Sequence, residues 1–597
     1  MKQFFKFFFA SLLALVVAGV IFFIAFFAII GSISKSISGA AVKEEQSLVK
    51  DKSILFIDLT DNFHELGESN SLALFTGGNS QSAGLHDLLK SIAYAKTDNN
   101  IKGIYLKAGG SPNGLATAQQ IRNALKDFKS SKKFIYAYGD FIPQADYFIA
   151  SVADSVFINP LGTVELKGLS SQITFFKGAL DKLKVQPEIF YCGQFKSATE
   201  PFRMDKMSEP NRKQQAALQQ DVWNEMLLAI SEHTQADTAT INGWAKQGAV
   251  QTAHDAINYK LADGLRYKDE VESLLRKQTG IEEKDKIRFS SISDYVNSVK
   301  DKTSDNSIAI LVAEGEIVDG TGSGSGQQIA SETFIKEIRK VRDNDRIKAV
   351  VMRVNSPGGS ALASEVILRE LQLLRKKKPI VVSMGDLAAS GGYYISCQAD
   401  SIFALPNTIT GSIGVFGMMF NTQAFFNEKL GVTFDGEKNA PYADFPNMNR
   451  PMTEQEKKFI QNSVDTIYAT FKSRVAAGRK MDVAYVDSIG QGRVWTGTAG
   501  LKNGLVDAIG GLDRAVASAA TIAKLKDYKL VTYPAAEDKL EKFMRMVQGS
   551  STSEKILAEQ FLERELGREY RWFRMLKTMQ EQKNRIWMMM PYVPDIR

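Results

Sequence analysis

The segment YGDFIPQADYFIASVADSVFINP, from Tyr138, returns 246 residues later as MGDLAASGGYYISCQADSIFALP, from Met384. Other pairs flank it. IKGIYLKAGGSPNG (from Ile101) resembles IKAVVMRVNSPGGS (from Ile347), and KSILFIDLTD near residue 52 resembles NSIAILVAEG near 306. GAVQTAHDAINYKLADGL (from Gly248) resembles GRVWTGTAGLKNGLVDAI (from Gly492). A repeat on this scale restricts the fold more than any composition figure, because both halves must satisfy one architecture. The chain divides into an N-terminal segment (1–35), copy one (50–275), a polar linker (291–307), copy two (305–525) and a tail (535–597).

Within each copy, short β-branched runs alternate with longer amphipathic stretches. In copy two, KAVVMRV and PIVVSMG read as strands, and SALASEVILRELQLLRKKK between them reads as a helix. Such alternation predicts βαβ units, hence α/β domains with a parallel sheet under helices and sites at the strand ends.

The N-terminal segment obeys other rules. Phe7–Ile30 carries no charge over 24 residues, a helix of about 36 Å against a hydrocarbon core of about 30 Å. It exceeds the ~7–15 residue apolar stretch of a cleavable signal. The reading is an uncleaved transmembrane anchor. Lys2 and Lys6 precede it and favour a cytoplasmic N-terminus with the bulk of the chain outside. The net charge of +7, with no long basic run interleaved with aromatics, argues against a nucleic-acid partner. Two cysteines, Cys192 and Cys397, are too few for a disulfide framework or a four-thiolate zinc site. Both read as small buried hydrophobes, and neither a metal nor a cofactor is expected.

The chemistry concentrates in MGDLAASGGYYIS. Ser390 follows a predicted strand and opens a predicted helix, beside NSPGG (Asn355–Gly359). Glycines there let backbone N–H groups turn toward a developing oxyanion. Gly358 or Gly359 is a candidate for one donor, Gly391 for the other. Copy one is an internal control: the constant offset puts Gln144, Ala145 and Asp146 opposite Ser390, Gly391 and Gly392. The scaffold is kept there while the hydroxyl and the glycine pair are lost.

A serine nucleophile needs a base. All four histidines (His64, His86, His233 and His254) lie in copy one, outside any glycine-rich motif. A buried lysine is the alternative, since desolvation favours the neutral amine. Lys196, in YCGQFKSATEPF, has aromatic and small neighbours, with Glu200 four positions on. Lys438, in DGEKNAP, has Glu437 beside it and Asp435 nearby, which would keep it protonated. Lys196 is preferred.

Together NSPGG, MGDLAASGGYY, TITGSIGVFG and QFKSATEPF resemble the long, duplicated form of the bacterial signal peptide peptidase A (protease IV) family, over roughly residues 50–525 plus the anchor. The resemblance implies tandem Clp-protease/crotonase-like domains and a Ser/Lys dyad split between the copies. It implies Ser390 as nucleophile, Lys196 as general base and Ser412, in TGSIG, as the hydroxyl that orients the lysine. It also implies a homo-oligomer, a tetramer for the long form, that encloses its sites at the membrane and degrades remnant signal peptides. Two other readings stay open. One is a crotonase-type acyl-CoA enzyme, with Glu365 the nearest candidate base. The other is a non-catalytic membrane scaffold on a degenerate protease fold. The tail mixes basic residues with Met, Trp and Phe (RWFRMLKTMQEQKNRIWMMMPYVPDIR). It suits a membrane surface, its own domain, a neighbouring subunit or the interior of a chamber.

Overall fold

A computed structural model describes residues 49–69, 81–300, 302–322, 327–535 and 586–590, all within one compact unit, Val49–Arg597. Among them no helix is long and apolar enough to cross a membrane; Phe7–Ile30, read as the anchor, lies outside the described residues.

Each copy builds the parallel sheet that its alternating pattern predicts. In copy one the strand order is Gly264–Leu265, Ser155–Val164, Phe134–Ile142, Ile101–Lys107, Ser53–Asp58, Phe289–Ser291, all parallel. Copy two repeats the order as Ala508–Ile509, Ser401–Ala404, Ile380–Ala389, Ile347–Ser356, Ser307–Glu314, Lys529–Tyr533. The likeness extends to an irregularity. Pairing slips by one residue between Ser53 and Ile54 in copy one, and between Ser307 and Ile308 in copy two. The predicted helix of copy two spans Ala361–Arg375 and buries Ala363, Ile367, Leu371 and Leu374, a 3.6-residue stripe, in the core. The polar run 291–307 carries structure of its own: Phe289–Ser291 adds an edge strand to copy one, and Ile292 and Tyr295 are buried against it.

The copies are locked together by polar groups. Gly114, the residue before the helix Leu115–Phe128 of copy one, has no side chain to cap it. Asp386 of copy two fills the role, accepting from Ala116 N (2.8 Å), Thr117 N (2.9 Å) and Thr117 Oγ1 (2.5 Å). A Cβ at position 114 would lie 2.3 Å from the Asp386 carboxyl, so only glycine allows this approach. Nearby, Arg353 Nε donates to Glu65 Oε2 across the copies (2.8 Å), with both side chains buried.

A third sheet belongs to neither copy alone. Its order is Gln328–Ala330, Glu316–Val318, Gly358–Ser360, Ile586–Met589, Phe416–Asn421, Gln186–Tyr191. Copy one thus contributes Gln186–Tyr191, antiparallel to Phe416–Asn421 of copy two, and the tail contributes Ile586–Met589.

Candidate active site

Two neighbouring strands deliver the hydroxyls. Ile380–Ala389 ends at Ser390, and its last three residues pair in parallel with Ile409–Gly411, which ends at Ser412. Ser390 N donates to Gly411 O (2.8 Å), tying the two exits together. Both serines are fully buried, and both hold positive φ, 55° at Ser390 and 51° at Ser412. Non-glycine residues avoid this region, and strain of this kind gathers at functional positions. The helix Gly391–Ser396 follows Ser390 directly.

The antiparallel pairing of Gln186–Tyr191 with Phe416–Asn421 carries copy one into this corner. After Tyr191 the chain is stitched to copy two: Cys192 N donates to Val415 O (3.0 Å) and Phe195 N to Gln491 O (2.9 Å). Lys196 follows, 1 % exposed. Its Nζ lies 3.0 Å from Ser390 Oγ, 3.0 Å from Ser412 Oγ and 3.3 Å from Ser412 O. No carboxylate acts on it, and burial alone pushes the amine well below the ordinary lysine value. Glu200, four residues on, is turned away toward Ser208 and Asn211. Lys438, the other candidate, is an exposed lysine paired with Asp444 (3.1 Å). The copy-one histidines take other partners or face solvent: His64 contacts Glu314, His233 lies near Asp263, and His254 is exposed.

The glycines differ in their duties. Gly391 follows Ser390, and its N would lie 2.6 Å from a Cβ at Gly358, which holds φ 100°. The N–H of Gly358 donates to Ser356 Oγ (3.1 Å), while Gly359 is paired in the third sheet with Ile317 on one side and Met588 on the other. In copy one the same region is plugged. Asp146, the counterpart of Gly392, accepts from Gly109 N (2.8 Å), Gly110 N (2.9 Å) and Ser111 N (2.7 Å). The glycine-loop amides there are consumed by a side chain. Gln144, in the place of Ser390, donates to Gly168 O (2.7 Å).

Several positioning residues are not apparent in the linear sequence. Gly492 (φ 76°) matters because a Cβ there would sit 2.6 Å from Lys196 Cβ and 2.7 Å from its N. Its repeat counterpart Gly248 faces open space. The only signal is the GQGR glycine pattern, which gains meaning once Lys196 is seen against it. Gln214, on the copy-one helix Glu209–Thr234, donates to Ser197 Oγ (3.0 Å) and accepts from Val494 N of copy two (3.3 Å), bracing the lysine loop. Glu365, the candidate base of the acyl-CoA reading, is held by Tyr394 and Arg474. Cys397 is buried as expected, whereas Cys192 is only partly buried and donates to Asp465 (3.0 Å). Among the described residues no cluster of three or more His, Cys, Asp or Glu is arranged to hold a metal.

The family model for peptidase family S49 matches residues 127–282 and again 372–526, once in each copy, and the Clp protease model matches 299–410. The chain belongs to peptidase family S49. It is a serine protease on a mixed α/β, Clp-protease-like fold present twice. Protease 4 of Salmonella typhi is 37% identical over 516 residues, covering 84% of this chain and 82% of that one. Protease 4 of Haemophilus influenzae is 35% identical over 444 residues, 72% and 71% of the two chains. A putative signal peptide peptidase SppA of Enterococcus faecium is 35% identical over 269 residues, 45% of this chain and 77% of its own. These matches support the expected kinship to the protease IV family.

Proposed function

We propose that the chain is a membrane-anchored endopeptidase in which Ser390 is the nucleophile, Lys196 the general base and Ser412 the hydroxyl that orients the base. The observation carrying this reading is the 3.0 Å approach of Lys196 Nζ to Ser390 Oγ inside a buried, acid-free corner. A neutral amine has two N–H donors and one lone pair. Ser412 Oγ and Ser412 O accept the donors, which aims the lone pair at the Ser390 hydroxyl. Ser390 Oγ attacks a peptide carbonyl as Lys196 takes its proton. The amide of Gly391, with one from the Gly358–Gly359 turn, faces the oxyanion. The lysinium then protonates the leaving amine, and water, deprotonated by the same lysine, hydrolyses the acyl-enzyme.

The proposed substrates are extended apolar peptides, cleaved signal peptides foremost. The name of the Enterococcus faecium relative and the apolar anchor Phe7–Ile30 support this. The proposed setting is the cytoplasmic membrane, with the catalytic region on its outer side and copies assembled as a tetramer. Glu365, the base on which the acyl-CoA alternative rested, is engaged by Tyr394 and Arg474, which does not favour that reading. The test is labelling of the membrane fraction with a serine-reactive fluorophosphonate. Labelling is expected in the parent and absent in Ser390→Ala and Lys196→Ala. Undiminished labelling of both variants defeats the dyad.

A further inference from the structure

The N-terminal ends of the copy-one strands carry a cluster of cations that the proposed chemistry does not use. An open depression of about 660 Å³ lies there, lined by Ile101 and Lys102 of one strand, Phe134 at the start of the next, and Lys129, Lys132 and Lys133 just before it. Among the described residues its lining holds a single acid, Asp154, which pairs with Lys129 (2.9 Å). Lys102 reaches outward to the exposed Asp51 (3.0 Å). Lys133 Nζ donates to two main-chain carbonyls, Ala95 O (2.7 Å) and Asp98 O (2.6 Å). The Asp98 carboxylate itself accepts from Tyr295 Oη and Asn100 N. Burial pushes the Lys133 amine below the ordinary lysine range; Asp98 opposes the shift and Lys102 adds to it. Lys132 is exposed, and its ammonium meets no acceptor among the described residues. Positive charge is therefore left over in the depression.

Copy two shows the same lysines with their charge answered. Lys378 Nζ donates to Val341 O (2.7 Å) and Asn344 O (2.6 Å), which lie 246 residues on from Ala95 and Asp98, so Lys378 is the counterpart of Lys133. Arg375 pairs with Asp400 as Lys129 pairs with Asp154. Lys377, the residue before Lys378, pairs with Asp343 (3.3 Å), and both Asp343 and Asp345 act on Lys378. The same offset puts Thr97 and Asn99 at those two positions of copy one. The lysines are kept there and the two acids are gone. A cluster with a purely structural role gives no reason for that loss, whereas an anion supplied from outside does.

The path of the chain points to the source of the anion. Ser53, the first residue of the first strand, pairs with Ile101 in the lining, so copy one is entered at this end. Only 22 residues separate Ser53 from Ile30, where the apolar stretch Phe7–Ile30 ends. Phe134 adds an apolar surface among the cations: a Cβ on Gly103 would lie 2.6 Å from its ring, so the ring rests on bare backbone and stays partly exposed. Ammonium groups around a half-buried ring suit a phosphate that carries glycerol and acyl carbons. We propose that this depression binds the phosphate of an anionic phospholipid headgroup and so fixes which face of copy one meets the membrane surface. The inference rests on the membrane-anchored reading given above.

The test uses the full chain in dodecyl maltoside micelles, titrated with the water-soluble lipid dihexanoylphosphatidylglycerol. Binding is read as slowed amide hydrogen exchange over residues 99–102 and 129–134. Dihexanoylphosphatidylcholine and inorganic phosphate are titrated for comparison. The anionic lipid is expected to bind about fivefold or more tighter than either, and Lys132→Gln and Lys132→Glu to weaken it about fivefold and about 25-fold, since one lysine charge at an anionic lipid surface is a factor of about five. Lys377→Glu, at the paired counterpart in copy two, is expected to leave the affinity unchanged. Inorganic phosphate binding as tightly as the lipid overturns the headgroup as occupant. Equal binding of the zwitterionic lipid, no binding at all, or a Lys132→Glu variant with the parent's affinity overturns the site. The urea midpoint of each variant is expected at the parent's, and should a variant not fold, the three titrations of the parent decide. Release of the parent from membranes by an alkaline carbonate wash would instead strike the anchor reading, and the titration in micelles judges the depression separately.

Discussion

At the scale of single residues, the site runs on the cost of burying a charge. Lys196 has no carboxylate to keep it protonated, and burial pushes its amine well below the ordinary value of about 10.4. The rate, measured as kcat/KM, is expected to rise with pH as Lys196 loses its proton and to level off well below that value. A rise centred near pH 10.4 would sink the base assignment. Lys196→Met, a neutral side chain of similar length, is expected to lose about 10²–10⁴-fold in kcat, the usual share of a general base. The same substitution predicts a gain in stability. Unfolded Lys196 binds a proton up to about pH 10.4 and folded Lys196 does not, so the folded state gains stability from this group as pH rises between the two values. At neutral pH the parent bears the cost of that lost proton and Lys196→Met does not. Its melting temperature should therefore exceed the parent's at pH 7, with the gap closing toward pH 10. Much of this geometry was legible in the chain. AASGG singled out Ser390, and its loss from copy one set that serine apart, while Lys196 is the lysine that the structure brings to it. The acids beside Lys438 disfavoured it, and that lysine does pair with an acid, though with Asp444 rather than its immediate neighbours. Gly492 was not legible, because the reason for its missing Cβ is the Lys196 backbone some 300 residues away in sequence.

At the scale of elements, the alternation made a parallel sheet under helices readable in both copies, since period-2 and period-3.6 patterns are local signals, whereas the order of the strands depends on long-range pairing. The third sheet escaped, because its strands are three to six residues long and come from copy one, copy two and the tail. IWMM fits strand and helix equally well by pattern, and only its partners decide. A helix of copy one also draws its cap from copy two, which no local rule detects. Asp386→Ala removes that cap and is expected to cost about 1 kcal/mol, within the 0.5–2 range for N-cap losses. The midpoint of urea unfolding measures it. Gly114→Ala should be at least as harmful, since its Cβ would meet the Asp386 carboxyl at 2.3 Å. If Asp386→Ala left the midpoint unchanged, the inter-copy cap would have no energetic role.

For the whole molecule, the two copies differ at the proposed site. Copy two holds Ser390 and its glycines, copy one brings Lys196 to them, and Asp146 occupies the glycine-loop amides of copy one. The 3.0 Å between Lys196 Nζ and Ser390 Oγ therefore depends on how the copies dock, and the buried Glu65–Arg353 pair sits in that seam. Arg353 is held further by Ser383 Oγ (3.0 Å) and Met384 O (2.9 Å), on the strand that leads to Ser390. Glu65 Oε1 and Arg353 Nη2 stay without partners, so the pair is incompletely satisfied and a poor source of net stability. Its better use is to fix the register between the copies. Glu65→Ala strands a buried guanidinium and is expected to cost about 3–5 kcal/mol, whereas Glu65→Leu/Arg353→Met removes both charges and should recover most of that loss. If the pair sets register, the double variant will unfold at nearly the parent's urea midpoint yet turn over more slowly, because Lys196 reaches Ser390 only when the seam closes in one way. Full activity in the double variant would reduce the pair to a packing residue of the duplication, and the docking of the copies would then have to be credited to the Asp386 cap and the shared third sheet.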